Sequence, residues 1–164
     1  MAKAARKRRQ ETGPGYDGAE HFTTRVKVSL TRSEPRLIRA RPGTFEWRYN
    51  RDDSNLTPLY HAGVKFADLW ERAGATSASS PDWRLSGGGD WKGLPDARLM
   101  AMDQIKAARL DIGKWGTARL VDYCVMGSTV AEMAGKYDTD ERVMAHVLAM
   151  DLRACAVHFK TLRA

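Results

Sequence analysis

Apolar residues recur at helical spacing along most of the chain after residue 56. A period near 3.6 residues is typical of amphipathic helices, so this part is predicted to be a helical bundle of about five helices. The first is expected to begin at Thr57-Pro58, with Thr57 as its cap, and to end at Gly74. The second begins near Asp96, and Gly127 ends the third.

The apolar positions of these helices form the predicted core. Cys124 and Cys155 lie within them and are predicted to be small reduced hydrophobes, not a disulfide or a metal pair. Residues 75–94 are rich in Gly and Ser and are predicted to form a loop. The core positions of the first three helices are predicted to be Leu59, Val64, Phe66, Leu69, Trp70, Leu99, Met102, Ile105, Leu110, Trp115, Leu120, Val121, Cys124 and Val125.

The last two predicted helices lie between residues 128 and 162. Thr129 and Glu132 have the spacing of a capping box, which predicts a short helix ending near Tyr137. The segment 138–141 is expected to cap a long helix that runs to about Leu162. Its apolar stripe is predicted to comprise Val143, Met144, Val147, Leu148, Leu152, Cys155 and Phe159.

This pair has the outline of a helix-turn-helix unit, although an ordinary helical hairpin fits the same pattern. Ala134 is the small residue that would let the helices cross closely. Asp138 stands where the turn usually has glycine, and the last helix begins with acidic residues, which stabilise a helix N-terminus. Met133, Tyr137, Met144 and Val147 are expected to face the core, and Thr139, Asp140, Arg142, Ala145, His146 and Ala149 are expected to face outward.

The N-terminal third has a different pattern. Residues 1–20 lack periodicity and are predicted to be a disordered basic tail, and residues 21–56 are predicted to be an extended basic arm or a short hairpin. Alternation of apolar and polar residues over 22–30 and again over 45–49 suggests the two strands of that hairpin. Pro35 and Pro42-Gly43 interrupt the chain between them.

Charge is concentrated in the same third. The chain has a net charge of +7, and residues 1–53 hold 13 Lys and Arg against 7 Asp and Glu, whereas residues 54–164 hold 14 against 13. The cluster Arg6, Lys7, Arg8 and Arg9 can lie along phosphates or can simply keep a tail solvated. Arginines interleaved with Phe22, Phe45, Trp47 and Tyr49 favour a nucleic-acid or acidic-protein surface.

The sequence indicates neither an enzyme nor a membrane protein. The four histidines lack metal-ligand spacing, and Ser86-Gly87-Gly88-Gly89-Asp90 lacks the Lys-Ser/Thr of a phosphate loop. No catalytic residues, metal or cofactor are therefore predicted. No apolar run reaches the ~18 residues of a membrane span, and no apolar h-region follows the basic N-terminus, so a cytoplasmic location is expected.

Leu59 to Phe159 resembles a bacterial family that carries a domain of unknown function. The similar segments are AGVKFADLWERAG over 62–74, AMDQI over 101–105 and LVDYCVMG over 120–127. This resemblance covers about two-thirds of the chain and implies a helical, regulator-like protein. Leu120 to Lys136 is also similar to part of the phage antitermination proteins of the Q type, which bind DNA and engage RNA polymerase.

The leading hypothesis is a small transcription regulator, of phage or mobile-element origin, that docks on DNA through the helix after Asp138. Arg142 and His146 are the predicted base contacts, Lys136 and Arg153 the predicted backbone contacts, and Arg6, Lys7, Arg8 and Arg9 add phosphate contacts. The alternative is a protein-binding adaptor or an antitermination-like factor acting on RNA polymerase. A packaging or recombination accessory protein is a further alternative within the DNA-binding class, and no oligomeric state is predicted.

Overall fold

A computed structural model describes residues 18–27, 33–51, 53–74 and 96–162. The predicted loop over 75–94 and most of the predicted tail, including Arg6, Lys7, Arg8 and Arg9, lie outside these residues. The described elements are β1 (Glu20–Lys27), β2 (Ser33–Ala40), α1 (Phe45–Tyr49), α2 (Thr57–Arg72), α3 (Asp96–Ile112), α4 (Lys114–Leu120), a π-helical turn (Val121–Val125), α5 (Val130–Lys136) and α6 (Glu141–His158). The fold is mainly α with one short antiparallel sheet, which confirms the predicted class.

The N-terminal region contains a hairpin, but its second strand is not the predicted one. β1 pairs with β2 in an antiparallel register that places His21 opposite Arg39 and Arg25 opposite Pro35. Pro35 therefore lies within a strand and does not interrupt it. A two-stranded sheet consists of edge strands, where a missing backbone N–H is tolerated.

The segment predicted to be the second strand, residues 45–49, is the helix α1. Thr44 caps it by accepting a hydrogen bond from the Trp47 backbone N–H. Phe45 and Tyr49 are buried, which a helix achieves because residues four apart share a face. The prediction that these two rings belong to a binding surface is therefore wrong.

The helix α2 begins and ends close to the predicted residues, and α3 begins at Asp96 as predicted, but their details differ. Leu56 is the N-cap of α2, and Thr57 is its first residue, with a hydroxyl that donates to the Asp53 carbonyl at 2.8 Å. Gly74 has the predicted positive φ, 69°. Leu99 and Leu110 are exposed, Leu110 by 86%, so their predicted core positions are wrong. Met102 and Ile105 are partly buried against the core, as predicted, and Ala101 and Ala108 are buried beside them.

The predicted third helix consists of α4 and the π-helical turn, and Gly127 ends it with φ 69°. Leu120 and Tyr123 are fully buried, as a core helix requires. Trp115 was predicted to be a core anchor, yet it is 66% exposed and lies beside the Lys114 ammonium. Tyr123 stacks edge-on against Phe45, so the π-helical turn contributes an aromatic ring to the core beside α1.

The main core lies where α1, α2, the π-helical turn, α5 and α6 meet. Most of its buried side chains are aromatic or aliphatic, and Gly63 of α2 lets the Phe45 ring approach the α2 backbone closely. The buried members are Phe45, Tyr49, Leu59, Ala62, Phe66, Leu120, Tyr123, Val130, Met133, Ala134, Met144, Leu148, Leu152, Cys155 and Ala156.

Replacing Gly63 with alanine should destabilise the protein by about 1–3 kcal/mol, although alanine is the better helix former. A Cβ at position 63 would lie 2.6 Å from Cε2 of Phe45, so the ring would have to move within a packed core. Chemical denaturation measures the change in the free energy of unfolding.

Gly135→Ala is the matched control, because position 135 is helical and exposed and a Cβ there meets nothing within 4 Å. This variant should be more stable than the wild type by about 0.5–1 kcal/mol. Equal effects of the two substitutions would show that the contact between Gly63 and Phe45 does not constrain the core.

Candidate nucleic-acid interface on the C-terminal helix pair

The helix α5 begins with the predicted capping box. The Thr129 hydroxyl accepts from the Glu132 backbone N–H at 3.1 Å, and the Glu132 carboxylate accepts from the Thr129 N–H at 2.7 Å. Because the hydrogen bond from the Thr129 N–H favours the ionised carboxylate, it lowers the pKa of Glu132. Arg41 donates to the same carboxylate at 3.1 Å and to the Gly127 carbonyl at 3.1 Å. The base of the β-hairpin is thereby attached to the start of α5.

The turn between α5 and α6 is a Schellman motif with an aspartate in the glycine position. Asp138 has φ 48°, in the left-handed region where glycine is usual and Asp is tolerated. The Thr139 N–H donates to the Ala134 carbonyl at 3.0 Å, and the Asp138 N–H donates to the Gly135 carbonyl at 3.4 Å. The departure from glycine at position 138 therefore leaves the tight turn intact.

The helix α6 begins at Glu141, and Asp140 caps it by accepting from the Arg142 backbone N–H at 2.8 Å. The helix ends at His158, four residues before the predicted end. A second Schellman motif closes it, with Lys160 at φ 57° and the Thr161 N–H donating to the Ala156 carbonyl at 2.9 Å.

The faces of the pair that were predicted to be buried are largely confirmed. Ala134 and Met133 are buried on α5, and Met144 is buried on α6, so the two helices meet through the expected small and apolar side chains. Tyr137 and Val147 are half-buried. Val143 is the exception, because 53% of its surface is exposed.

The predicted DNA-contacting residues of α6 lie on one exposed stripe. Arg142, His146 and Arg153 are all exposed, and Ala149 between them is half-buried. Their spacing of four, three and four residues places them on the same side of the helix over ~16 Å. We call this stripe the cationic edge of α6. The N-terminus of the same helix is acidic, since Asp140 and Glu141 are also exposed.

Lys136, the other predicted backbone contact, is held by an interaction that the sequence pattern did not reveal. Its ammonium donates to Asp122 at 2.6 Å, and the Tyr137 hydroxyl donates to the same carboxylate at 3.2 Å. The hydrogen bond to the Asp122 carboxylate raises the pKa of Lys136 and so favours its protonated, positively charged form. Lys136 is therefore part of the contact between α5 and the π-helical turn, away from the cationic edge.

Two side chains on the far side of α6 attach it to α3 and α4. Asp151 is buried and accepts two hydrogen bonds from the guanidinium of Arg119, at 2.6 and 2.9 Å. The hydrogen bonds that Arg119 donates to Asp151 raise the pKa of Arg119. Near the end of the helix, the Nδ1 atom of His158 lies 2.6 Å from Asp111. Periodicity cannot indicate such pairs, because their members are 32 and 47 residues apart.

The aromatic and arginine residues of the predicted arm are divided between the core and the surface. Arg51 lies over the rings of Trp47 and Phe22, with its Cζ atom 4.7 and 5.1 Å from their centroids. Arg41 binds Glu132, as described above. Some of the arginines and aromatic residues of this region therefore attach the hairpin to the helical body. The composition did not reveal this role.

The two cysteines are free, as predicted. Burial raises the pKa of Cys155 to about 12 and that of Cys124 well above its usual value, so both stay as thiols at neutral pH. Among the described residues no group of three His, Cys, Asp or Glu side chains is placed to hold a metal ion. In the same part of the chain, no helix has the length and apolar character needed to cross a bilayer.

Comparisons of the chain with protein-family models, with curated proteins and with solved structures give no match.

Asp151→Ala should lower the free energy of unfolding by about 2–4 kcal/mol, because it leaves the partly buried Arg119 guanidinium without its acceptor. Asp103→Ala is the control, since Asp103 forms an exposed pair with Lys106 in the middle of α3 and its loss should cost under ~0.5 kcal/mol. Urea denaturation of both variants measures the difference. A loss at position 151 no larger than that at position 103 would mean that the ion pair does not hold α6.

Proposed function

We propose that this protein is a DNA-binding transcription regulator that docks through the cationic edge of α6. The observation that supports this most is the exposed line of Arg142, His146 and Arg153 on a helix that follows a tight turn. A helix of this kind fits the major groove, where arginine and histidine can donate to base edges and to phosphates.

The acidic start of α6 constrains how the helix could approach DNA. Asp140 is engaged as the helix cap, and Asp138 and Glu141 are exposed beside it. Phosphates near these carboxylates would be repelled, so the proposed contact runs from Arg142 toward the C-terminus of α6. The N-terminal cluster of Arg6, Lys7, Arg8 and Arg9 would add sequence-independent affinity that weakens with salt.

The experiment is a selection of bound duplexes from a randomised DNA pool, followed by titration of the best duplex by fluorescence anisotropy. Arg142→Ala and His146→Ala should each weaken binding by about 5- to 150-fold, which corresponds to ~1–3 kcal/mol for a lost base contact. Because base contacts carry specificity, the variants should also lose discrimination between the selected duplex and a scrambled one.

Arg109→Ala is the matched control, because Arg109 is exposed on α3 and the substitution removes the same charge. It should leave discrimination unchanged. If Arg142→Ala and Arg109→Ala weaken binding equally, or if neither does, α6 is not the docking helix.

A second candidate function, a protein-binding adaptor acting on RNA polymerase, is favoured by an apolar stripe beside the cationic edge. Val143, Val147, Met150, Ala154 and Val157 repeat at spacings of four and three residues along α6. Val143, Met150 and Val157 are exposed, by 39% or more. Such spacing is that of a seam that packs against another helix, and an exposed apolar patch commonly marks a protein contact.

Met150→Glu should abolish binding to purified bacterial RNA polymerase if this second function holds, because it places a charge in the centre of the apolar stripe. Met126→Glu is the control, since Met126 is 67% exposed at the end of the π-helical turn and outside the stripe. Binding can be followed by size-exclusion chromatography of the mixed proteins. Polymerase binding that survives Met150→Glu would eliminate the stripe as the docking surface, and an absence of wild-type binding would eliminate the adaptor.

A further inference from the structure

An arginine at the end of α1 is held in place by two aromatic rings. Arg51 lies just beyond the helix, and its Cζ atom is 4.7 Å from the ring centroid of Trp47 and 5.1 Å from that of Phe22. Its Nε–H donates to the Trp47 carbonyl at 2.9 Å. These contacts restrict the guanidinium before any ligand binds, because arginine can stack on aromatic faces while its planar group keeps its charge. The side chain is nevertheless exposed.

The guanidinium of Arg51 borders an open cleft at the protein surface. The cleft has a volume of about 520 Å³ and is lined by Trp47, Arg48, Arg51, Asp53 and Leu56. Neither of its arginines forms an ion pair with a carboxylate of the described residues. The Nη groups of Arg51 and the half-buried guanidinium of Arg48 are therefore available to an anion that enters the cleft.

The acidic groups at this end of α1 do not cancel the positive charge. Asp53 accepts from the Asn55 backbone N–H at 2.8 Å. Glu46 accepts from the Asn50 side chain at 2.8 Å and from the Tyr60 hydroxyl at 3.0 Å. The residues that line the cleft include two guanidiniums and one carboxylate, so the cleft has an excess of positive charge.

An electrostatic interaction links the cleft to the cationic edge of α6. Burial raises the pKa of Tyr49, and the positive charges of Arg48 and Arg153 partly oppose this increase. Both guanidiniums therefore lie near the same buried ring, Arg48 on α1 and Arg153 on the cationic edge. Positive charge continues from α6 to the end of α1.

We infer that Arg48 and Arg51 bind the phosphate backbone of DNA and extend the contact of the cationic edge onto α1, an inference that rests on the proposed DNA-binding function. A guanidinium can bind phosphate through two parallel N–H···O bonds. An arginine whose position is already restricted loses less conformational freedom when it does so. Phosphate contacts carry no sequence information, so this site would position the protein on the duplex while α6 contacts the bases.

The cleft is less suited to an acidic protein. The centre of a protein interface is usually apolar and depleted in charge, whereas surfaces that bind nucleic acid commonly combine positive charge with aromatic rings. Leu56 is the one aliphatic residue among the five that line the cleft. Trp47 and the two arginines supply the combination that is typical of nucleic-acid binding.

The test is the salt dependence of binding to a labelled random-sequence duplex, measured by fluorescence anisotropy with the full chain. Arg48→Ala and Arg51→Ala should each weaken binding several-fold and should each lower the slope of log affinity against log salt by about 0.9, the value for one phosphate contact. Arg109→Ala is the matched control, because it removes an exposed arginine from α3, and it should leave the slope nearly unchanged. Equal slopes for all three variants would overturn the inference.

Asp53→Asn should have the opposite effect on binding. The amide keeps an oxygen that can accept from the Asn55 N–H, but the substitution removes the negative charge from the cleft. Affinity for the duplex should rise by up to about fivefold, which is the effect of one unit charge at ~4 Å in water. A gain of affinity cannot result from loss of the fold. Unchanged affinity would mean that no phosphate enters the cleft.

Arg51→Lys is a second variant at the position that also contacts the hairpin through Phe22. Lysine keeps the charge but lacks the planar fork of donors, so the salt slope should be retained while affinity falls. Thermal unfolding of each variant measures whether the fold is retained. If Arg51→Ala unfolds, Arg48→Ala and Asp53→Asn decide the outcome.

Parallel titration of Arg142→Ala separates this inference from the proposed function. If Arg142→Ala weakens binding while Arg48→Ala and Arg51→Ala behave like Arg109→Ala, the cleft is not a DNA contact and the docking through α6 stands. If the cleft variants weaken binding and Arg142→Ala does not, the cleft contact stands and the docking through α6 fails.

Competition experiments identify the source of the phosphate. Inorganic phosphate at constant ionic strength should not displace the duplex from the wild type. If it does so from the wild type but not from Arg48→Ala, the cleft binds free phosphate and is not a DNA contact. A wild-type protein that binds duplex DNA no better than it binds polyglutamate would overturn both the inference and the proposed function.

Discussion

The exposed edge of α6 exists because the opposite face of the same helix is the central packing surface of the helical body. Met144, Leu148, Leu152 and Cys155 are buried along that face, so α6 cannot rotate about its axis without exposing them to water. Asp151 holds α6 in the same orientation, because rotating the helix would break its buried ion pair with Arg119. Packing therefore determines which α6 residues meet solvent, and the cationic edge and the apolar stripe are the result.

The hairpin depends on the same body, although the sequence places it in the basic N-terminal third. Arg41 shows how, because its guanidinium links the hairpin base to a carboxylate that also belongs to the capping box of α5. One exposed glutamate thus serves both the helix start and the hairpin attachment. The positive charge of residues 1–53 therefore includes an arginine that holds the structure together.

Local signals predicted the helix boundaries well, and long-range contacts explain most of the failures. The Thr129–Glu132 capping box and Gly74 act through neighbours within a few residues, so the chain itself reveals them. Residues 45–49 alternate aromatic and polar side chains as a strand would, but Phe45 and Tyr49 are also four residues apart, as on one face of a helix. The Thr44 cap and the lack of a side chain at Gly63, which makes room for the Phe45 ring, favour the helix. Similarly, α3 buries Ala101 and Ala108 and leaves Leu99 and Leu110 exposed, because close helix approach favours small side chains. The cationic edge was predicted correctly as exposed, whereas the attachment of Lys136 to Asp122 depends on a contact across 14 residues.

The acidic residues at the start of α6 and the cationic edge along its side meet different requirements, because acidic residues stabilise the positive N-terminal end of a helix. Asp140 is required at the N-terminus, because its carboxylate accepts from the Arg142 N–H and interacts favourably with the positive end of the helix. A basic residue in that position would favour phosphate contact but would weaken the helix start. The chain therefore keeps the acidic residues at the turn and places its arginines from the first turn onward, at Arg142 and Arg153, where no capping requirement applies. A helix built this way would contact a polyanion along its side instead of with its N-terminus.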